Sequence, residues 1–389
     1  MTDNSRKLKI LFCILYYLPH RTGMPIYVQR VAEELVQRGH EVTVLCVRHQ
    51  PYLKRDETVN GVRIVRLWAP PIPISRGMIM PMYPFAAYLL MRQHDVVSVH
   101  TPMLETGLLS VLGMLTGRKL IPTHHGDLIL PDGAVNKFIR NTMFALYKFM
   151  ANRAPKIVAY SDDYADNSYY LKPFREKVHV IYPPIHMPPV NPERAAQLRA
   201  EWSHEGGPVI GYGGRFVQEK RPDLLIKSLE IINQKYPNAR IVFAGEFDIP
   251  YEDTWEKYQP IVQQYKDQLI FLGRIDDMSY MADFFAACDI MALTSQSECF
   301  ALVQVEAMLS GTPVIMTDIP GGRVPVTVTG MGKLANAGDW QSIGETIVDV
   351  LDDPEKYQHT KAEIEAKFSF KETVDRYEAL FREYSANNG

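Results

Sequence analysis

The middle of the chain reads IYPPIHMPP at residues 181–189. Four prolines in nine residues suit neither a helix nor a central strand, because proline lacks the backbone N–H and clashes with a preceding helical turn. We therefore place a linker here, with one domain before it and another after it. The pattern on both sides supports this division.

Short apolar runs alternate with segments of helical period on each side of the linker. Before it, predicted strands cover 8–15, 41–47, 62–67, 95–99, 118–123, 156–160 and 178–181, and predicted helices lie near 25–38, 104–115 and 135–152. After it, predicted strands cover 208–212, 240–244, 269–272, 288–293 and 313–316, and predicted helices lie near 222–235, 279–287 and 300–310. The strands are continuously apolar, as in parallel sheets that helices cover on both faces. The pattern predicts two doubly wound α/β domains.

Composition excludes several classes of protein. The 389 residues include 42 Lys and Arg against 45 Asp and Glu, a net charge of −3 that argues against a nucleic-acid partner. The four cysteines show no Cys-x-x-Cys spacing, so we expect neither a zinc knuckle nor a disulfide framework, which favours a cytoplasmic location. The longest largely apolar run, at 78–91, is too short to span a bilayer.

The first candidate site follows the strand predicted at 208–212. Residues 211–220 read GYGGRFVQEK, a glycine-rich turn with two cations, Arg215 and Lys220. Glycines let a backbone approach a ligand closely, and two such cations can hold the phosphates of a diphosphate. Phe216 stands where the dinucleotide fingerprint needs its third glycine, which argues against a nicotinamide enzyme. An ordinary glycine-rich turn with surface cations is the alternative.

The second candidate site is the segment ECFALVQVE at residues 298–306. It follows the strand predicted at 288–293, and we expect its helix to begin near Phe300. The backbone N–H groups at such a helix start point toward an anion. Glu298 then lies in the loop and Glu306 about two turns into the helix, where both carboxylates can accept ligand hydroxyl groups. A solvated glutamate pair is the alternative, although the apolar neighbours of Glu306 disfavour it.

These residues resemble the family 4 glycosyltransferases, retaining enzymes of the GT-B fold, in which two Rossmann-like domains face each other across a cleft. The resemblance extends over nearly the whole chain. It is carried by GHEV at 39–42, Gly214-Arg215 with Lys220, the Glu-x7-Glu pair Glu298 and Glu306, EAM at 306–308 and GTPV at 311–314. It implies an acceptor-binding domain at 1–184, a donor-binding domain at 185–368, and a last helix within 369–389 that packs back on the N-terminal domain.

The resemblance implies roles for the donor-site residues. Arg215 and Lys220 match the cations that hold the donor diphosphate, with Gly214 beside them. Glu306 matches the carboxylate that takes the ribose hydroxyls, and Glu298 matches the carboxylate at the transferred sugar. Backbone amides around the sugar and phosphate are matched by Phe300, Ala301 and Leu302.

The resemblance also implies roles in the N-terminal domain. Gly23 falls on the second glycine of the Gly-Gly loop before the first helix, where the donor is approached. His125, in the segment THHGD at 123–127, matches the histidine at the reaction centre, with Asp127 beside it. An ordinary loop histidine is the alternative, but this one ends a predicted strand at the predicted cleft. His125, Asp127 and Glu298 therefore form the candidate catalytic set.

The chain also departs from the family pattern. Thr22 replaces the first glycine of the N-terminal loop, and Cys299 and Ala301 stand where Glu-Gly-Phe-Gly is common. The loop at 320–325 carries Arg323 in place of an acidic residue, which makes Arg323 a candidate contact to an anionic group of donor or acceptor. We therefore expect altered loop contacts around an otherwise complete donor site.

The implied activity is that of a retaining hexosyltransferase, class EC 2.4, in glycan or glycolipid biosynthesis. It moves a sugar from a UDP- or GDP-sugar to an acceptor hydroxyl, and the acceptor can be a saccharide, a lipid-linked group or a small molecule. No Asp-x-Asp occurs in the sequence, so a metal clamp has no sequence basis and we expect neither metal nor cofactor. A nucleotide-sugar epimerase of the same architecture and a non-catalytic nucleotide-sugar-binding protein are the alternatives.

A peripheral contact with the inner face of the membrane is a further hypothesis. Residues 136–153 carry four cations among aromatic and aliphatic side chains, as helices that lie on anionic lipid do. The apolar positions are spread around the helix, so an ordinary core helix is the alternative.

Overall fold

A computed structural model describes residues 6–70, 78–128, 133–249 and 253–385. The chain divides into two compact units, Met1–Pro184 with Lys371–Gly389, and Ile185–Phe370. The first division falls inside the proline-rich segment at 181–189, and the second lies two residues beyond the predicted end of the donor-binding domain at 368. Each unit is an α/β layer structure built on its own parallel sheet.

The first unit contains an eight-stranded sheet in the order β3-β4-β2-β1-β5-β6-β7-β8. Its strands are β1 (Lys9–Cys13), β2 (Glu41–Val47), β3 (Asp56–Val59), β4 (Val62–Leu67), β5 (Val96–Thr101), β6 (Leu120–His124), β7 (Ile157–Ala159) and β8 (Val178–Val180). Only the edge strand β3 runs antiparallel to its neighbour among these described strands. The other strand pairs are parallel, as the apolar runs predict.

The second unit contains a six-stranded parallel sheet in the order β11-β10-β9-β12-β13-β14. Its strands are β9 (Val209–Gly213), β10 (Arg240–Ala244), β11 (Leu269–Gly273), β12 (Ile290–Leu293), β13 (Val314–Thr317) and β14 (Gly332–Ala335). The strand order reverses direction beside β9, which pairs with both β10 and β12. Ligands of such sheets bind outside the carboxyl ends of the strands at a reversal of this kind.

Helices connect the strands of both sheets. The first unit has α1 (Gly23–Gln37), α2 (Tyr83–Gln93), α3 (Thr106–Thr116), α4 (Ala134–Arg153) and α5 (Asp162–Asn167). The second has α6 (Pro192–Trp202), α7 (Pro222–Lys227), α8 (Leu229–Ile232), α9 (Thr254–Gln264), α10 (Met278–Ala287), α11 (Leu302–Leu309), α12 (Val324–Thr329), α13 (Trp340–Asp352) and α14 (Lys361–Lys367). The last helix is α15 (Phe370–Glu383). No helix within the described ranges combines the length and apolar character that crossing a membrane requires.

The helix α15 packs within the first unit. The hydroxyl of Tyr377 lies 2.6 Å from that of Tyr27 on α1 and 3.0 Å from Oγ1 of Thr123 on β6. The ring of Phe381 meets Phe12 on β1 edge to face, with 6.0 Å between centroids. Arg38 donates to Glu378 at 3.1 Å. The end of the chain thus covers the face of the first sheet that α1 also covers.

Candidate active site

The glycine-rich turn after β9 has the tight backbone that its sequence requires. A Cβ on Gly213 would lie 2.7 Å from Cγ2 of Val303, and Gly214 adopts φ +154°, a conformation that side chains disfavour. The N–H of Gly214 donates to the carbonyl of Ala244 at 2.9 Å. A Cβ on Gly245 would lie 2.0 Å from the carbonyl oxygen of Gly214. Glycines therefore bring the turn against both β10 and α11, which fixes where Arg215 leaves the backbone.

The two candidate sites of the second unit meet through an ion pair. Nζ of Lys220 donates to Oε1 of Glu298, and Oγ of Ser295 donates to the same oxygen at 3.0 Å. The side chains of Lys220 and Glu298 are 24% and 13% exposed. Burial lowers the pKa of the Lys220 ammonium, but the attraction of Glu298 outweighs it, so the pKa is raised overall. Lys220 therefore stays charged throughout the neutral range.

Backbone contacts hold the two loops of this ion pair together. Oγ1 of Thr294 donates to the carbonyls of Lys220, at 3.0 Å, and of Arg221, at 2.7 Å. The N–H of Gln296 donates to the carbonyl of Glu219 at 2.9 Å. The loop after β9 and the loop after β12 are therefore one hydrogen-bonded assembly, and the ion pair is positioned by the backbone.

The helix after Glu298 begins later than predicted. The prediction placed its start near Phe300, whereas α11 begins at Leu302 and Ala301 is its N-cap with φ +56°. An alanine in this left-handed region is strained by about 1 kcal/mol, which explains why a glycine is common there in the family pattern. The helix-start amides are consequently those from Leu302 onward, not those from Phe300.

The side chain of Phe300 packs in the core of the second unit. The ring is fully buried and meets Phe368 edge to face, with 5.6 Å between centroids. Nε2 of the buried Gln304 donates to the carbonyls of Phe300, at 3.2 Å, and of Gly322, at 2.7 Å. Any contact of Phe300 with a ligand must therefore come from its backbone.

The other candidate residues of the second unit lie on α11, at the start of α12 and in the loop before α11. Glu306 is half-buried and is the fifth residue of α11. Arg323 is the N-cap of α12, and its guanidinium pairs with Asp318 at 3.0 Å, so its charge is already partnered. Burial, with the negative charge of Glu298, raises the pKa of the Cys299 thiol to about 12, so this cysteine is protonated at neutral pH.

In the first unit, His125 sits in a cluster of aromatic rings just after β6. Its Nε2 lies 2.7 Å from Nδ1 of His100 on β5, and its Nδ1 contacts the hydroxyl of Tyr160. Tyr27 meets the His125 ring edge to face at 5.0 Å and stacks on Tyr160 at 5.2 Å. Burial, with the neighbouring His100 and His124, holds the pKa of His125 well below its ordinary value. The imidazole is therefore neutral at neutral pH.

Asp127 faces away from that cluster, toward residues around α5. Oδ1 lies 3.0 Å from Nε2 of His124 and accepts from Oγ of Ser168 at 2.6 Å. Oδ2 accepts from the N–H of Tyr169 at 3.0 Å, and the N–H of Asp127 donates to the hydroxyl of Tyr164 at 2.7 Å. Both carboxylate oxygens are thus committed to the protein.

Gly23 is the first residue of α1, directly after its N-cap Thr22. A Cβ at this position would meet no described atom within 4 Å, and its φ lies outside the left-handed region. The local backbone does not itself require a glycine here.

Two family models match most of the chain between them. Residues 21–187 match the model described as "Glycosyltransferase Family 4", and residues 194–367 match "Glycosyl transferases group 1". The chain belongs to glycosyltransferase family 4. The boundary between the two matched segments falls beside the proline-rich linker and coincides with the change from one sheet to the other.

Individual relatives of this family 4 glycosyltransferase support the same assignment. The chain is 29% identical over 216 residues to D-inositol 3-phosphate glycosyltransferase of Mycolicibacterium smegmatis, an alignment that covers 54% of this chain and only 48% of that protein. It is 25% identical over 400 residues to the protein of that name in Nocardia farcinica, covering 94% of this chain and 84% of that one.

Solved structures identify the fold of the glycosyltransferase as GT-B. The structure of Anabaena Alr3699/HepE in complex with UDP superposes with a TM-score of 0.78 at 18% identity, covering 97% of this chain and all of that one. The two parallel-sheet α/β units of the present chain thus follow one another along the sequence as in other GT-B glycosyltransferases.

Sequence reasoning about the glycosyltransferase missed two side chains of the histidine cluster. His100 is the residue before the last of β5, and β5 pairs with β6, so its proximity to His125 follows from strand pairing. Tyr160 follows β7, the next strand in the sheet. The rule that carboxyl ends of neighbouring parallel strands meet at one edge was enough to find both.

We expect the stability of the glycosyltransferase to fall below pH 6.5 because of His100. Burial lowers the pKa of His100 from 6.5 to about 3. The folded chain therefore binds fewer protons here than the unfolded chain between these values. The stabilisation present above pH 6.5 is lost as the pH falls toward 3, by about 1.4 kcal/mol per pH unit.

Urea unfolding of the wild type and of His100→Asn at pH 7.0 and about pH 5.5 measures this effect. The wild type should lose more stability than the variant, by roughly 1.4 kcal/mol for each pH unit below 6.5. Equal losses in both proteins would show that His100 is not the titrating group.

Proposed function

We propose that this glycosyltransferase moves a hexosyl group from a UDP- or GDP-sugar to an acceptor hydroxyl with retention of anomeric configuration. The observation that carries the proposal is the Lys220–Glu298 ion pair beside the start of α11. A cation, a carboxylate and a helix N-terminus occur together at the carboxyl ends of β9 and β12. This combination suits a ligand that carries both phosphate and hydroxyl groups.

The ion pair implies an exchange of partners when the donor binds. Glu298 neutralises Lys220 in the ion pair. A diphosphate carries more negative charge than one carboxylate, so it displaces Glu298 from the ammonium. The released carboxylate then accepts a hydroxyl of the transferred sugar, while Ser295 still donates to it. One step thus binds the phosphate and prepares the sugar contact.

Fixed groups of the second unit stabilise the negative charge that develops on the leaving diphosphate. Arg215 and Lys220 supply positive charge, and the amides at the start of α11 supply backbone donors. Gly214 permits the close approach of the turn, and Glu306 takes the ribose hydroxyls. Arg323, which pairs with Asp318, stays a candidate contact to an anionic group of donor or acceptor.

In the proposed transfer, His125 positions the loop after β6 and does not act as a charged group. Its imidazole is neutral, and both ring nitrogens contact protein groups. The ring therefore holds the loop after β6 in place, so that the His125 backbone and ring edge are presented at a fixed point to the sugar. Gly23 stays a candidate donor contact, since its local backbone does not itself require a glycine.

A donor panel tests the proposal. Purified protein is incubated with UDP- and GDP-hexoses, with and without a mixture of saccharide, lipid-linked and small-molecule acceptors, and nucleoside diphosphate is measured. Release that depends on acceptor supports transfer. Conversion of the donor to an isomeric nucleotide sugar supports an epimerase, and binding without turnover supports a non-catalytic protein.

We expect transfer to proceed without a divalent metal. Leaving-group charge is assigned to Arg215, Lys220 and the α11 amides, which leaves no step for a metal. Initial rates should be the same, within error, in EDTA and in excess Mg²⁺ or Mn²⁺. Loss of transfer in EDTA that either ion restores would contradict this assignment.

A further inference from the structure

One helical layer of the first unit exposes a large amount of apolar surface. Thirteen large apolar side chains of the described residues are at least 39% exposed, and every one lies in the first unit. Ten of them fall on or just before α2, α3 and α4: Ile79, Met82, Phe85, Leu89, Leu104, Val111, Met114, Leu115, Val135 and Phe138. Large exposed apolar patches of this kind mark interaction surfaces.

The exposed side chains follow helical periodicity, so they form continuous stripes. Along α2 the stripe is the N-cap Met82 with Phe85 and Leu89, at spacings of three and four residues. On α3 the stripe ends with Val111 and Leu115, four residues apart. The helix α3 packs against both α2 and α4. We call the outward side of these three helices the apolar face.

The charged side chains of the three helices that form the apolar face are all basic. The helices α2, α3 and α4 contain no Asp or Glu, although the whole chain has 45 acidic residues. The basic residues on them or directly after α3 are Arg92, Arg118, Lys119, Lys137, Arg140, Lys148 and Arg153. None of these seven forms an ion pair with an acidic side chain of the described ranges.

A pocket of about 380 Å³ lies at the C-terminal end of α3, at the border of the apolar face. Its lining includes three cations, Arg118, Lys119 and Arg153, beside the exposed Met114. The guanidinium of Arg118 donates to the backbone carbonyl of Met91 at 3.1 Å. Its charge is therefore held in place without being neutralised, as a phosphate contact requires.

We infer that the apolar face docks on a bilayer that contains anionic phospholipid. The stripes on α2 and α3 enter the boundary between headgroups and acyl chains, and the seven cations contact lipid phosphates. Apolar stripes bordered by cations, on helices that contain no acidic residue, are the pattern of helices that lie in the membrane interface.

Vesicle flotation tests the inference. The full chain is mixed with vesicles of phosphatidylcholine alone, or of equal parts phosphatidylcholine and phosphatidylglycerol, and the floated fraction is measured at low and at high salt. We expect flotation with the anionic vesicles only, weakened by salt because exposed charges are screened. This readout does not depend on transfer, so it stands apart from the proposed function.

Paired variants locate the contact. Each basic side chain near an anionic surface strengthens binding about fivefold, so Lys119→Gln with Lys137→Gln should weaken partitioning roughly 30-fold. Phe85→Ser with Leu115→Ser should abolish flotation. Lys257→Gln with Lys266→Gln removes the same charge from the second unit and should leave partitioning unchanged.

Three outcomes overturn the inference. One is no flotation of the wild type with anionic vesicles at low salt. Another is an equal loss in the control pair and in the Lys119 and Lys137 pair. The third is a concentration-dependent dimer, seen by analytical ultracentrifugation, that the Phe85 and Leu115 pair disrupts while lipid binding is absent; the occupant of the apolar face is then a second copy of the chain.

Discussion

Replacing Arg215 or Lys220 by alanine should lower kcat/KM roughly 30- to 1000-fold, which corresponds to about 2–4 kcal/mol of transition-state stabilisation. Both cations are assigned to the diphosphate, on which negative charge grows as the bond to the sugar breaks. A fixed positive charge is worth most at that moment, because no solvent must reorganise around it. Initial rates with saturating acceptor and varied donor measure the effect.

The two variants should differ in stability. Lys220→Ala leaves the carboxylate of Glu298, only 13% exposed, with Ser295 as its remaining partner in the ion-pair cluster. Losing one member of such a partly exposed pair should destabilise the second unit by about 1–2 kcal/mol, less than a fully buried pair would. Lys220→Ala with Glu298→Gln removes the uncompensated charge, so stability should return while transfer stays low.

A matched control separates a specific charge from overall charge. Lys266 is an exposed lysine in the same unit, in the turn before β11, and Lys266→Ala should change neither kcat/KM nor stability. Unchanged kcat/KM in a folded Arg215→Ala protein would exclude the diphosphate role for that residue. A decrease of the same size in Lys266→Ala would show that only the net charge matters.

Much of the fold is predictable from local pattern, because buried parallel strands are continuous apolar runs. The observed β1, β2, β9 and β10 lie within one or two residues of prediction. The edge strand β3 was missed, since a polar edge strand lacks that apolar run. Its signal was Asn60-Gly61, two residues with positive φ that form the tight turn between β3 and β4.

The site was harder to predict, because its contacts join distant residues. Lys220 and Glu298 are 78 positions apart, and their loops meet because β9 pairs with β12. The start of α11 was placed two residues early, since nothing in the sequence shows that Ala301 adopts positive φ. The sequence thus indicated which residues are candidates, while the contacts between them and the start of α11 needed coordinates.

Substitutions of His125 and Asp127, both in the loop after β6, should differ strongly in their effect on kcat. We expect His125→Ala to lower kcat roughly 100-fold, because the ring fixes this loop through His100 and Tyr160, and a shift near 1 Å at a reaction centre has about that effect. His125→Asn, which keeps a polar group at this position, should recover part of the rate. Thermal unfolding shows whether each variant is folded.

Asp127→Asn should lower kcat only about tenfold or less, equivalent to about 1.4 kcal/mol. Retention by double displacement needs a carboxylate that attacks the anomeric carbon. Asp127 already binds His124, Ser168 and the Tyr169 amide with its two oxygens, so attack would break contacts that hold α5 to the sheet. The variant should mainly lose stability.

These expectations favour a front-face transfer, in which the departing diphosphate takes the proton of the acceptor hydroxyl. Arg215, Lys220 and the α11 amides then stabilise the phosphate as the glycosidic bond breaks and the new bond forms on the same face. An α-linked donor should give an α-glycoside, which NMR of the product linkage measures. A β-glycoside would refute retention. Abolished transfer in folded Asp127→Asn, together with a trapped glycosyl-enzyme in the wild type, would show covalent catalysis instead.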